Sequence, residues 1–444
     1  MKKNLLLLLA ALMLMSCGNK KQETKFEMPA VDDIVMYQVN PRVFAPENSL
    51  KAVTARLDSI KALGVNVIWV MPIYPIGKEK SKNSPYSISD YKAVNPEFGT
   101  LDDFKQLVDS CHAKGMGIIL DWVANHTAWD AVWIKEGHKD WYTQDSTGNI
   151  VAPIPDWSDV ADLNYDNQEM RIAMIDAMKF WITEVGIDGF RCDVADEVPT
   201  DFWKDAIAQL RKAAGDRRIV MLAEGTKVEN FTEGGFDMNY AWDFMHALFG
   251  VMDGDDVSAL FKADSAEYAN LPKGKVKLRF TTNHDESTKG TPVKMFGSRE
   301  AAMAAYVVTT TLHGGALIYG SQEVDYPDSI NFFHYVPVDW TANQDTYHNF
   351  QQFFKTYNEH PALRKGELKP VLAEGGVIVY EKTLGNDRYL VMANLRGGDD
   401  VVFDTPEGWT DTQAFSILHR DEIWNMKPQI RLKAYDYYIL KLKN

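Results

Sequence analysis

The stretches VNVIWVMPI (65–73), LDDFKQLVDSCHAKG (101–115) and GIILDWV (117–123) set the architecture. The first and third are short, apolar and rich in β-branched residues, as a strand covered on both faces must be. The middle one repeats its apolar residues every three to four positions, the period of an amphipathic helix. Strand, helix and strand in that order form a βαβ unit, whose sheet is parallel. Working outward, the unit recurs. VMYQVNPRVF from Val35 precedes it; GFRCDVA from Gly189, IVMLAEG from Ile219, FDMNYAWDF from Phe236, VKLRFTTNHD from Val276 and ALIYGSQE from Ala316 follow. LKAVTARLDSIKALG and MRIAMIDAMKFWITEVG supply further helices. Eight strands separated by helices predict an α/β TIM (β/α)8 barrel. A doubly wound open sheet is the rival that strand count alone leaves standing.

Two regions break the alternation. Residues 127–167 are polar, aromatic and punctuated by Gly and Pro, too long for an ordinary loop after strand three. They predict a subdomain inserted into a catalytic barrel that spans 31–360. Beyond Pro361 the pattern becomes short alternating runs such as VIVYEKTL, RYLVMANL and DYYILKLK, a C-terminal antiparallel β-sandwich over 361–444.

The first residues read as an address. Lys2 and Lys3 precede a purely apolar run from Leu5 to Met15, too short for the roughly 20 residues of a membrane span. Leu14-Met15-Ser16-Cys17 resembles a bacterial lipobox, which implies a signal peptide over 1–16 and lipidation of Cys17. Residues 17–30 then read as a solvated tether, placing the chain lipid-anchored at the bacterial cell envelope. Cys111 and Cys192, in a helix-like and a strand-like stretch, are expected as buried packing residues rather than a disulfide framework.

Composition excludes other classes. The 444 residues are 45 % hydrophobic, which rules out disorder. Against 62 Asp and Glu stand 47 Lys and Arg, and the net charge of −15 repels phosphate backbones, so nucleic acid is not an expected partner. No G-x-S-x-G, phosphate-cradling G-x-x-x-x-G-K or H-E-x-x-H occurs, and no organic cofactor is expected.

Barrel enzymes carry their chemistry at the C-terminal ends of strands. Those ends hold Asp121 with Asn125 and His126, Arg191 with Asp193, Glu224, and Asn283-His284-Asp285. Arg191 and Asp193, two apart, share one face of their strand, while Phe190 and Cys192 take the other. The guanidinium is expected to lower the Asp193 pKa and keep it ionised, as a nucleophile needs. Glu224 emerges from an apolar run that should raise its pKa toward that of a general acid. A charged and a protonated carboxylate are what retaining glycoside hydrolysis uses.

Asp121-Trp122-Val123-Ala124-Asn125-His126, Gly189-Phe190-Arg191-Cys192-Asp193, Ala223-Glu224 and Thr282-Asn283-His284-Asp285 resemble, in order and spacing, the four signature regions of the α-amylase family, glycoside hydrolase family thirteen. Asp162-Leu163-Asn164 resembles the short motif of its inserted domain, and Tyr86-Ser87-Ile88-Ser89-Asp90-Tyr91 the segment with its sugar-stacking Tyr. The resemblance implies that Asp193 is the nucleophile, Glu224 the acid/base and Asp285 the transition-state stabiliser. It implies that Tyr86, His126, Arg191 and His284 line the subsite of the attacked glucose, and that Asn125 and Asp162 ligate a structural calcium. Asp196-Glu197 stand where many α-amylases carry Lys-His, closer to the neopullulanase and cyclomaltodextrinase branch. The expected substrates are α-1,4-glucans and maltooligosaccharides, with α-1,6 bonds as a second class. A transglycosylase, or a catalytically silent lipid-anchored glucan-binding protein, are the alternatives.

Overall fold

The computed structural model describes residues 26–418 and 422–443, so Cys17 and the signal segment lie outside the described residues. The eight barrel strands are β1 (Val35–Val39), β2 (Val67–Val70), β3 (Gly117–Trp122), β6 (Gly189–Cys192), β7 (Val220–Ala223), β8 (Met238–Tyr240), β9 (Val276–Leu278) and β10 (Ala316–Tyr319). The numbers β4 (His126–Ala128) and β5 (Val160–Asp162) belong to the insertion after β3, where the two pair as an antiparallel ribbon. Parallel pairing runs β10-β1-β2-β3-β6-β7-β8-β9, and a parallel bridge between Arg279 and Ala316 closes the ring. The barrel is the predicted one, and the open sheet is excluded.

Several predicted strands are shorter than their apolar runs. VMYQVNPRVF stops at Val39, because Pro41 lacks an N–H for the ladder and the Asn40 side chain instead caps a short 3-10 turn at Arg42 N, 3.0 Å away. FDMNYAWDF likewise ends at Tyr240, and Trp242 opens the helix Trp242–Asp253. Of the expected tether, Phe26 and Met28 pack on the barrel, while Glu27 and Ala30 are exposed. Phe26 stacks on His112 with ring centroids 4.7 Å apart, and Met28 is buried against Gly117. A Cβ on Gly117 would meet the Met28 sulfur at 2.3 Å, so this contact requires glycine there.

Alternation along each strand sorts the wall into two faces. Tyr37, Ile68, Leu120, Phe190, Cys192 and Met221 point outward into the layer shared with the helices. Met36, Trp69, Ile119, Leu222 and Tyr240 point into the barrel. Gln38, Asp121 and Arg191 share the inward parity, and Glu224 continues that of Leu222. The inner face therefore collects the polar residues at its C-terminal end. At the opposite, N-terminal end Gly189 lets β6 approach β7: its φ is 139°, and a Cβ would lie 1.8 Å from Val220 O.

After a short helix (Ala362–Lys365) the chain forms a six-stranded antiparallel sheet and a two-stranded one. Val377, Val379, Leu390 and Met392 face Ile430 and Leu432 of the smaller sheet across their own core. Tyr380, Val391 and Ile439 pack on the barrel, where Tyr380 and Thr311 hydroxyls meet at 2.6 Å. Cys111 and Cys192 are free and buried, as expected. No helix among the described residues is long and apolar enough to cross a membrane.

Candidate active site

At the C-terminal mouth of the barrel one guanidinium serves three carboxylates. Arg191 Nη1 lies 2.9 Å from Asp121 Oδ1 and 2.9 Å from Asp193 Oδ1. Its Nη2 lies 2.8 Å from Glu224 Oε2, though off the line of a hydrogen bond, and Nε donates to the Tyr240 hydroxyl at 3.1 Å. The rings of Trp69, Tyr86 and Tyr240 surround the cation with centroids 5.2, 5.8 and 5.5 Å from Cζ. Arg191 has no exposed surface. It lies beneath the three acids and is not among the residues that line the cavity.

One positive charge among three buried acids leaves a surplus of negative charge, and the pKa values show it. Asp121 is raised to about 6 by burial against the opposing pull of Arg191. Asp193 is raised to about 7, by burial first, with Arg191 pulling it down and the charges of Asp121 and Asp285 pushing it up. The expectation that Arg191 would hold Asp193 below the usual range is thus corrected. The lowering contribution exists but is outweighed by burial and by the charges of Asp121 and Asp285. Glu224 is raised furthest, to about 8, again by burial first and then by Asp193 and Asp285 against Arg191. The order makes Glu224 the last of the three to lose its proton, as expected of it.

Immediately after Asp193, Val194 adopts φ 35° and ψ 48°, a left-handed conformation that a β-branched residue rarely takes. Such strain costs on the order of 1–3 kcal/mol and clusters at functional sites. Here it aims the Val194 N–H at Glu224 Oε2, 2.7 Å away, and ties the two acid-bearing loops together.

His284, Tyr86 and Asp121 form a relay. Gln38 Nε2 donates to His284 Nδ1 at 2.8 Å, so the neutral ring carries its proton on Nε2, which faces the Tyr86 hydroxyl at 2.7 Å. That hydroxyl in turn donates to Asp121 Oδ2 at 3.1 Å, which also accepts from Trp69 Nε1 at 3.1 Å. Burial pushes both His284 and His126 down to about 4, so both are neutral near pH 7. Asp285 is the most open of the acids, its side chain 41 % exposed and 3.4 Å from His284 Nε2.

The predicted residues Tyr86, His126, Asp193, Glu224, His284 and Asp285 line one cavity of about 430 Å³. A second cavity of about 670 Å³ contains Glu224 and Val194 but neither Asp193 nor Asp285. Trp157, Val194 and Glu224 are common to both, so the cleft divides at the acid. Asn125 and Asp162 line the second cavity. Asn125 Nδ2 is turned to His126 Nδ1 at 3.2 Å, and burial raises the Asp162 pKa. Together their side chains offer three oxygens against the six to eight that calcium takes. Among the described residues no group of three or more His, Cys, Asp or Glu side chains could hold a metal ion.

Sequence reasoning did not assign roles to Asp121, Gln38, Trp69, Tyr240 or Trp157. Inward parity at strand ends could have found the first four. Trp157 lies in the insertion, where no periodicity marks it. Of the Asp196-Glu197 pair, Asp196 is spent on the loop after β7, accepting from Thr226 N at 2.9 Å and Asn230 Nδ2 at 2.7 Å. Glu197 is exposed beside the second cavity.

Comparison with known proteins adds an independent finding. The alpha amylase catalytic domain matches residues 38–159 and 154–368. The alpha-amylase MalA of Haloarcula japonica is 27 % identical over 418 residues, 89 % of this chain and 60 % of that one. A cyclomaltodextrinase of a Bacillus species is 26 % identical over 422 residues, 83 % of this chain and 74 % of that one. Among solved structures, a maltogenic alpha-amylase AmyB from Thermotoga neapolitana superposes with a TM-score of 0.84 at 27 % identity, covering 94 % of this chain and all of that one. An alpha-amylase from Lactobacillus plantarum gives 0.84 at 28 % identity, covering 93 % and 99 %.

Proposed function

The chain belongs to the α-amylase family, and we propose that it is a retaining glycoside hydrolase of α-1,4-glucans and maltooligosaccharides, with α-1,6 bonds as a second substrate class. The observation that carries this reading is the placement of Asp193 and Glu224 on one buried guanidinium at the barrel mouth, where burial raises the Glu224 pKa further than that of Asp193. In the first step the Asp193 carboxylate attacks the anomeric carbon and forms a glycosyl ester. Glu224 gives its proton to the departing glycosidic oxygen. In the second, the Glu224 carboxylate takes a proton from water, the water oxygen bonds to the anomeric carbon, and Asp193 is released. Asp285, open to the cavity, faces the positive charge that develops on the sugar. Neutral His126 and His284 and the Tyr86 hydroxyl can hydrogen-bond sugar hydroxyls without adding charge.

Because only the smaller cavity contains Asp193 and Asp285, it would take the glycone, and the larger one, reaching Glu224 alone, the leaving group. Asn125 and Asp162 do not complete a calcium site by their side chains, and no step is routed through a metal. Residues 1–16 as signal peptide and a lipid anchor on Cys17, at the cell envelope, complete the proposal.

Maltoheptaose and pullulan, incubated with the protein and resolved by chromatography, test it. Shorter products retaining the α configuration are expected. Binding without cleavage would overturn the hydrolase reading, and products longer than the substrate would replace it with transglycosylation.

A further inference from the structure

The glycone cavity is walled at its rim by segments from three separate parts of the chain. The loop after β2 contributes Lys82 and Ser84, the insertion contributes Asp159 and Val160, and the loop after β10 contributes Phe332 and Phe333. Lys82 Nζ reaches across to the insertion, 3.2 Å from Asp159 Oδ1 and 3.3 Å from Asp156 O. Two residues earlier, Lys80 Nζ sits 3.4 Å from the centroid of the Trp129 ring, a second tie between the same two segments. On the other side Asn83 Nδ2 donates to Phe333 O at 2.6 Å.

Arg42 holds this ring of loops from below. Its side chain is 2 % exposed, its Nη1 donates to Asn83 O, Phe332 O and Phe333 O at 2.8, 2.9 and 3.0 Å, and Glu97 takes its Nε and Nη2, each at 2.7 Å. A buried guanidinium that spends its donors on backbone oxygens of two loops fixes where those loops stand. An extended glucan passing through the site would have to cross this rim, whereas the leaving-group side opens into the larger cavity with the exposed Ile154 and Glu197 at its edge.

We infer that the collar of Lys82, Asp159, Phe332 and Phe333 closes the glycone end of the cleft, so that the protein takes non-reducing chain ends and releases short saccharides, with the Lys82–Asp159 bridge limiting glycone length. This rests on the proposed hydrolase reading and adds an exo mode of attack to it.

The experiment compares two substrates: maltoheptaose carrying a reducing-end chromophore, and the same compound with its non-reducing glucose blocked by an ethylidene group. Expected is turnover of the open substrate, with short saccharides from the non-reducing end as first products and the blocked one slower by about tenfold or more. Lys82→Ala and Asp159→Asn should each raise the blocked-to-open ratio and lengthen the first products. The charge swap Lys82→Asp with Asp159→Lys should return the ratio toward that of the unaltered protein. Equal initial rates on both substrates, or a ratio that Lys82→Ala leaves unmoved, would overturn the collar while leaving the hydrolase reading intact. No cleavage of either substrate would instead overturn the hydrolase reading itself.

Discussion

Two arginines, both without exposed surface, occupy opposite faces of the barrel wall. Arg191 points inward and meets Asp121, Asp193 and Glu224. Arg279, in the layer between sheet and helices, has Asp264 at 2.8 Å and Glu267 at 3.1 Å, with the Phe244 ring 4.0 Å from Cζ. The second cluster has further positive or proton-donating neighbours. His313 Nδ1 lies 2.8 Å from Asp264 Oδ1, and the charge of the buried Lys382 also acts on Asp264. The consequences differ at Asp264, whereas Glu267 of the same cluster is raised, by burial first, against the pull of Arg279. Asp264 ends below its ordinary pKa despite burial, because the hydrogen bond from His313 and the charge of Arg279 win. Asp193 and Glu224 end above theirs, because burial and the neighbouring carboxylates outweigh the pull of the one cation they share. Asp264, with both His313 and Arg279 against it, is held ionised, whereas Asp193 and Glu224, buried around one shared guanidinium, retain protons they can give away.

Substitution at each pole should break the comparison most visibly. Asp193→Asn is nearly isosteric and removes one of the surplus charges, so hydrolysis should fall by about 10⁴-fold or more while the thermal melt stays the same or rises. Arg279→Met should do the reverse, since removing one partner of a buried ion pair strands its acids and costs about 3–5 kcal/mol. Its kcat/KM, measured on the folded fraction, should change little. Reducing-sugar release and circular-dichroism melts on both variants check this. A stable Arg279→Met, or an Asp193→Asn that unfolds, would erase the distinction between the clusters.

A smaller effect separates the two acids of the active cluster. A maltosyl fluoride needs no proton for its leaving group, so Glu224→Gln should still form the glycosyl ester on Asp193 but hydrolyse it slowly, lacking the base. Intact-protein mass spectrometry should find one maltosyl unit attached. Unmodified protein after prolonged incubation would remove Glu224 from the base role.

Asp121 tests why Asp193 is raised. With the nucleophile titrating at about 7 and the acid at about 8, kcat/KM should form a narrow bell whose limbs belong to the pair. Asp121→Asn removes a like charge beside Asp193 and frees more of Arg191 for it, so the acid limb should move to lower pH. Overall activity will also drop, because Trp69 and Tyr86 lose a charged acceptor. Only the limb position distinguishes electrostatics from a packing defect, and an unmoved limb would count against the shared-cation account.

Asp121 also marks how far the sequence could be read. Period-two alternation through Gly189–Cys192 correctly turned Arg191 and Asp193 to one face, and the apolar run before Glu224 correctly raised its pKa. Asp193 departs from the expectation because a pair two residues apart is visible in a sequence, whereas the burial of the site and the carboxylates that reach it from β3 and from Asp285 are set by the fold. The collar was invisible for a related reason. Lys82 and Phe332 lie in loops without period, and Arg42 places the β2 and β10 loops from a 3-10 turn that the sequence presents as the tail of a strand.

The smallest expected effect is also the one with opposite signs at Asp264 and at the two acids of the active site. In the unfolded chain Asp and Glu titrate near about 4. Folded Asp193 and Glu224 hold their protons to about 7 and about 8, so between these limits the folded state binds more protons and stability falls as pH rises, the loss being complete above the higher value. Folded Asp264 lies below its ordinary value, so its contribution is full above about 4 and disappears as pH falls through the folded pKa. Each extra proton held by the folded state gives a slope of about 1.4 kcal/mol per pH unit at its steepest. Urea unfolding at a series of pH values should therefore show stability declining from pH 5 to 8, and the double variant Asp193→Asn, Glu224→Gln should flatten that decline while leaving the acid-side loss in place. If the double variant declines as steeply as the unaltered protein, the surplus protons are held elsewhere and Arg191 is as well supplied as Arg279.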